Sequence, residues 1–109
     1  MAKFEVFKGI NSQFYFRFKA TNGEQILASE SYTTKQNCLN GIASVKRLSP
    51  FDSTYRRIDA PLNYRFNMVA ENGEIIAKSS EGYVSTQGRE NAISVVKREA
   101  GSAQIIDLT

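Results

Sequence analysis

The chain has 109 residues and a mass of 12.2 kDa, enough for one domain with a single core that buries about two-thirds of its unfolded surface. Hydrophobic residues make up 41% and charged residues 23%, so no stretch is polar enough to stay disordered, and no run approaches the roughly 18 apolar residues of a membrane-spanning helix. The net charge is +3, and the absence of histidine together with a lone cysteine excludes an internal disulfide and every Ser-His or Cys-His catalytic arrangement.

Met1 to Ile10 lacks the basic-then-apolar pattern of a secretory signal, so the expected location is the cytoplasm. The first element is a strand, KFEVFK at 3 to 8. Residues 14 to 20 then alternate strictly, with Phe14, Phe16, Phe18 and Ala20 on one face and Tyr15, Arg17 and Lys19 on the other. Asn22-Gly23 supplies a hairpin turn. A two-residue loop would put Ile26 on the polar face. A three-residue turn with Gly23 as a left-handed bulge pairs Ala20 with Glu24 and brings Ile26 to the apolar face, which is the favoured register.

A helix follows, with Thr34 as N-cap, Cys38, Ile42 and Val45 on one stripe, and Ser49-Pro50 as its stop. The chain then repeats itself. TYRRI at 54 to 58 is a strand, Tyr64, Phe66, Met68 and Ala70 alternate inward, and Asn72-Gly73 turns the chain. Ser85 caps a second helix carrying Ala92, Ile93, Val96 and Ala100, and Gly101 ends it. QIIDL at 104 to 108 is a last strand.

Aligning Asn22-Gly23-Glu24 with Asn72-Gly73-Glu74 gives an offset of 50, which becomes 51 after the inserted Ser80. Over the 34 positions from 14 to 47 there are 15 identities. The chain is therefore an internal duplication within a single domain, 1–109, with repeat one at 1–51 and repeat two at 52–109. Each unit is β-β-β-α, and a terminal strand closes the second.

The pattern FEVF, FYFRFKA, NGE, SESY and NGIASVK resembles the YegP-like family, an uncharacterised set of small bacterial proteins built from such repeats. The resemblance implies an α+β fold of two tandem β-β-β-α(-β) repeats. They would form one antiparallel sheet with exchanged end strands, both helices packed on one face, and pseudo-twofold symmetry. Single-repeat members would reach the same assembly by homodimerising, so this duplicated chain is expected to be a monomer. The resemblance carries no activity. Ala92 departs from the pattern, standing where repeat one has Gly41, and the connection from Asp59 to Asn63 is one residue shorter than its counterpart and holds Pro61.

Chemistry-bearing residues are few. Cys38 sits near a helix start, where a dipole favours a thiolate, but it lies on the apolar stripe and reads as a core residue. Glu30 and Glu81 recur in both repeats and could pair for acid/base work; the structural reading is that carboxylates and hydroxyls there satisfy free backbone N–H groups before a helix. Gln36 with Asn40, and Gln87 with Asn91, share a helical face and are read as loop anchors, although such amides also bond each other. Tyr32 and Tyr83 read as packing residues whose hydroxyls find local partners. No metal cluster and no phosphate-cradling glycine motif is present, so neither cofactor nor metal is implied.

The polar face of the sheet supplies the remaining candidates: Tyr15, Arg17 and Lys19 from repeat one, with Arg56 and Arg65 from repeat two, forming a basic surface diluted by Glu5. These observations favour a non-enzymatic binding or protein-interaction module. Nucleic-acid binding through the basic face is the first alternative, and a small enzyme using the Glu pair is the second.

Overall fold

The computed structural model describes residues 1–109. Seven strands and two helices follow in the order β1 (Lys3–Lys8), β2 (Phe14–Lys19), β3 (Gln25–Ala28), α1 (Lys35–Leu48), β4 (Tyr55–Ile58), β5 (Arg65–Val69), β6 (Ile75–Ser79), α2 (Thr86–Glu99) and β7 (Gln104–Asp107). They build one sheet in the order β4-β5-β6-β3-β2-β1-β7.

Local chemistry sets each element as the alternation requires. Phe4, Val6, Phe16, Phe18, Phe66 and Met68 are all fully enclosed, on the face that the helices cover. The Thr34 side chain accepts from the Asn37 N–H and that of Ser85 from the Gly88 N–H, so both expected N-caps hold. Helical stripes at Cys38, Ile42 and Val45, and at Ala92, Ile93 and Val96, enter one core cluster of 22 residues. Burying a large apolar side chain there contributes about 2 kcal/mol.

The bulged turn is present in both repeats. The Ala20 N–H donates to the Glu24 carbonyl at 2.9 Å, the Ala70 N–H to the Glu74 carbonyl at 2.8 Å, and Gly23 and Gly73 both have φ of 86°. A second bulge follows: Lys19 pairs with Gln25 but Phe18 pairs with Leu27, leaving Ile26 as the extra residue. Ile26 and Ile76 are buried as expected, but the favoured register would set them beside Phe18 and Met68, and the second bulge corrects this by placing Leu27 and Ala77 directly opposite those residues. Despite Pro61, the β4–β5 connection copies the β1–β2 one, with Leu62 in the left-handed region at φ 62° where repeat one has Ser12 at 64°.

The two repeats meet at an antiparallel seam, Leu27 against Ser79 and Ala28 against Lys78. The expected exchange occurs once: β7, from repeat two, lies on β1 of repeat one. Here the expectation of an all-antiparallel sheet needs correction, because β7 runs parallel to β1 and the sheet is mixed. The reason is where the strand enters. Lys46 at the end of α1 donates to the Ala103 carbonyl at 2.6 Å, which delivers β7 to the end of the sheet where β1 begins.

Candidate interaction surfaces

The helix-free face is organised as rows across the strands. One row reads Arg56, Asn67, Lys78, Ala28, Arg17, Glu5, Ile106 from β4 to β7. Its centre of charge is Glu5, only 6% exposed. Arg17 Nε donates to Glu5 Oε1 at 2.6 Å, and the ammonium groups of Lys19 and Lys3 approach the same carboxylate at 3.2 and 3.5 Å. The hydrogen bond from Arg17, reinforced by Lys19, outweighs desolvation and holds the Glu5 carboxyl at about 2 instead of the ordinary 4.5.

Two of the expected surface cations are therefore already engaged. Arg17 also lies over the Phe7 ring at 4.6 Å, and Phe7 stacks on Tyr15 at 5.6 Å with the rings 17° from parallel. The Tyr15 hydroxyl accepts from Asn11 Nδ2 at 3.1 Å. Arg65 lies near Asn63, its Nε 3.4 Å from the amide oxygen, and Arg56 projects from β4 into solvent. The candidates Tyr15, Arg17, Lys19, Arg56 and Arg65 thus share one face, as their alternation predicted, in two groups separated by β6 and β3.

The residues shared by the repeats divide differently. Gln36 Nε2 donates to Asn40 Oδ1 at 3.0 Å and Gln87 Nε2 to Asn91 Oδ1 at 2.8 Å, all four side chains exposed. The loop-anchor reading is corrected: the i, i+4 spacing lets each amide satisfy its neighbour, and no loop is held. Glu30 is bridged to Lys78 at 2.9 Å, and the backbone-satisfying role falls instead to serines, Ser29 Oγ accepting from the Phe16 N–H and Ser79 Oγ from the Phe66 N–H. Glu30 and Glu81 leave the seam at opposite ends, five residue steps apart, or about 17 Å along the strands. They do not form a carboxylate pair.

Tyr32 rests on the helix backbone at Gly41, where an added Cβ would come within 2.4 Å of its hydroxyl. Ala92 holds that position in repeat two, so Tyr83 cannot take the same seat. Neither tyrosine hydroxyl makes the local hydrogen bond expected of it, and that of Tyr83 is buried without a partner, beside a cleft of about 340 Å³ between α2 and the Asn22-Gly23 turn. Burial pushes that phenol up to about 12. Cys38 is sealed in the core with its thiol pushed up to about 11 by desolvation, so no thiolate forms at neutral pH. No three His, Cys, Asp or Glu side chains converge as a metal site, and no helix is long and apolar enough to cross a membrane.

Two charged residues are more important than their sequence context suggested. Glu5 is one. Arg89 is the other, 5% exposed on the stripe position that Cys38 fills in repeat one. It bonds the Asp59 carboxylate and reaches Glu90 at 3.1 Å. Arg57 joins this network from β4, bonding Glu90 at 2.8 Å and Asp52 at 2.9 Å, while Lys97 also bonds Asp52 at 2.8 Å. An arginine interrupting an apolar helical stripe was the available signal, because a charge placed there must bring a partner with it.

This network lines the helix side of β4, whose outer edge has no neighbour. The Phe66 N–H donates to Ser79 Oγ, on the side away from β4, so the Arg57–Phe66 pair is not hydrogen-bonded and the Arg57 N–H and C=O face outward. The matching pair in repeat one is Val6–Phe16, and there the outward carbonyl of Val6 accepts from Leu108 N–H, just beyond β7, at 2.8 Å.

Comparison with known proteins fits this geometry. The model of the family described as a domain of unknown function, DUF1508, matches twice, at residues 11–55 and 62–107. The chain belongs to that family. The resemblance to YegP-like proteins is thereby established: UPF0339 protein YegP of Escherichia coli K12 is 42% identical over 107 residues, covering 97% of this chain and 96% of that one. A UPF0339 protein in the ptx operon 5' region of Stutzerimonas stutzeri is 38% identical over 106 residues, with 96% and 95% covered. The solution NMR structure of UPF0339 protein SO3888 from Shewanella oneidensis superposes with a TM-score of 0.92 at 41% identity, covering 99% of this chain and 92% of that one. That Shewanella protein thus shares the tandem α+β architecture of this chain, and the family is described as one of unknown function.

Glu5 gives the face a pH signature. Its folded value of about 2 lies below the ordinary 4.5, so its contribution to stability is complete above pH 4.5 and is lost as pH falls toward 2. Glu5→Gln should cost about 2 kcal/mol at pH 7 and flatten the fall in urea-unfolding free energy between pH 5 and 2. A variant as acid-sensitive as the wild type would show that the carboxylate is not held by Arg17.

Proposed function

We propose that this member of the DUF1508 family is a non-catalytic protein-interaction module, a cytoplasmic monomer that takes up a partner segment as a strand on the open edge of β4. The inequality of the two repeats carries the reading: the edge of β1 is filled by β7, and the equivalent edge of β4 is bare. Edge strands left with unpaired backbone groups are ready templates for strand addition. The side chains fit a binding role better than a chemical one, since the Cys38 thiol is sealed and Glu30 and Glu81 stand apart.

Affinity capture from a lysate of the source organism with three baits tests this. Arg57→Ala removes the side chain and keeps the outward N–H; Arg57→Pro removes that donor without touching the β4–β5 ladder. A specific partner should be held by wild type and Arg57→Ala and lost by Arg57→Pro. Equal capture by all three, or loss with both variants, contradicts strand addition.

The charge distribution favours a second reading, nucleic-acid binding on the helix-free face. Lys3, Arg17, Lys19, Arg56, Arg65 and Lys78 lie there with only Glu5 and Glu30 opposing them, so this face holds more than the whole net charge of +3. Arg17 is a poor probe, because removing it strands a buried carboxylate. Fluorescence anisotropy with a single-stranded oligonucleotide should show log affinity falling with log salt, and Arg56→Ala and Arg65→Ala should each lower the slope by about 1. Affinity indifferent to salt excludes this reading.

A further inference from the structure

The edge of β4 can be read in more detail, because the occupant of its symmetry mate is visible. β7 runs parallel to β1 with Ile105 beside Phe4, Ile106 beside Glu5 and Asp107 beside Val6. In the second half Tyr55 faces Met68, Arg56 faces Asn67 and Arg57 faces Phe66, so Tyr55, Arg56 and Arg57 stand where Phe4, Glu5 and Val6 stand in the first. We propose that the strand added to β4 is an acidic one, running parallel as an eighth strand with a carboxylate beside Arg56. This inference rests on β4 being the docking edge and specifies what docks there.

Two features select the occupant. On the first edge Ile106 can lie beside Glu5 because three cations already compensate that carboxylate. The equivalent neighbour on the second edge is the Arg56 guanidinium, which projects into solvent, whereas the helix-side charges of the same edge, Arg57 and Arg89, are satisfied by Asp52, Glu90 and Asp59. An acidic side chain at that register supplies the missing partner, and a basic one is repelled. Two residues along the same face, Ile58 is 43% exposed and offers an apolar contact, as Phe7 does in the first half. The selected pattern is acid, any residue, apolar, in an extended segment. The free backbone groups that would hold it are the Arg57 N–H and C=O and the Tyr55 C=O, the Tyr55 N–H being already bonded to the Asp52 carbonyl.

The chain's own end strand provides the probe. Two capped peptides with the sequence of residues 103–109, one carrying Ile106→Glu and the other Ile106→Lys, are titrated into the isotope-labelled full chain and followed by backbone amide NMR. The Glu peptide should shift amides from Tyr55 to Asp59 and bind about tenfold tighter than the Lys peptide, the difference between an attractive and a repulsive cross-strand pair. In Arg56→Glu, an exposed substitution, the order should reverse. Equal binding of both peptides at the edge, or an order that Arg56→Glu leaves unchanged, overturns the acidic specification and leaves the docking edge standing. Absence of any shift at Tyr55 to Asp59 overturns both. Protection of those amides that grows with protein concentration, without peptide, would place a second copy on the edge and overturn the proposal.

Discussion

The length of one connection governs the asymmetry of the molecule. Between Leu48, where α1 ends, and Tyr55, where β4 begins, there are six residues, part of them coiled in a 3-10 turn at Asp52–Thr54. A symmetric exchange would need an end strand after α1 to reach the edge of β4, and then a return to start β4 itself. Six residues cannot do both, so repeat one gives no end strand, and its chain passes directly into the first strand of repeat two. The copied contacts show the compromise: Lys46 holds the Ala103 carbonyl on the way to β7, and its counterpart Lys97 holds the Asp52 carboxylate on the way to β4. Seven strands result where perfect symmetry would give eight.

The charges are arranged around that asymmetry. On the helix side of β4, cations and carboxylates from α2, β4 and the Asp52 turn are matched, which fixes the edge strand against its helix without needing a partner. On the helix-free side, one buried carboxylate organises the cations of β1 and β2, and the cation on β4 has no such organiser. The same duplication therefore yields a half whose edge is closed and whose cations gather on one carboxylate, and a half with backbone and charge both unspent. Charged residues on a short edge strand also deter indiscriminate pairing, so the strand addition we propose and resistance to aggregation would draw on the same two arginines.

Much of this was legible in the sequence, for physical reasons. Period-two alternation marks strands, apolar stripes mark helices, and Asn-Gly with a buried isoleucine downstream requires the bulged turn. Thr34 and Ser85 advertise the helix starts. What escaped depends on tertiary placement. Glu5 reads as a surface acid diluting a basic face until strand pairing brings Arg17 and Lys19 across from it. The direction of β7 depends on where the chain leaving α2 enters the sheet, beside the end of α1 at Lys46. Tyr83 cannot rest on its helix as Tyr32 does, because the methyl of Ala92 stands where Gly41 leaves room, and its hydroxyl ends buried without a hydrogen bond. The edge of β4 emerges only after asking which segment could fill it, a question of chain reach and not of residue type.

Amide hydrogen exchange on the uniformly labelled chain tests the central claim most directly, through two residues in equivalent places. The Val6 amide, facing β7, should be protected, and the Arg57 amide, facing outward from β4, should exchange at close to the rate of an exposed loop. Equal protection of the two at low protein concentration would mean that the β4 edge is already covered, and would contradict the account of an open eighth position.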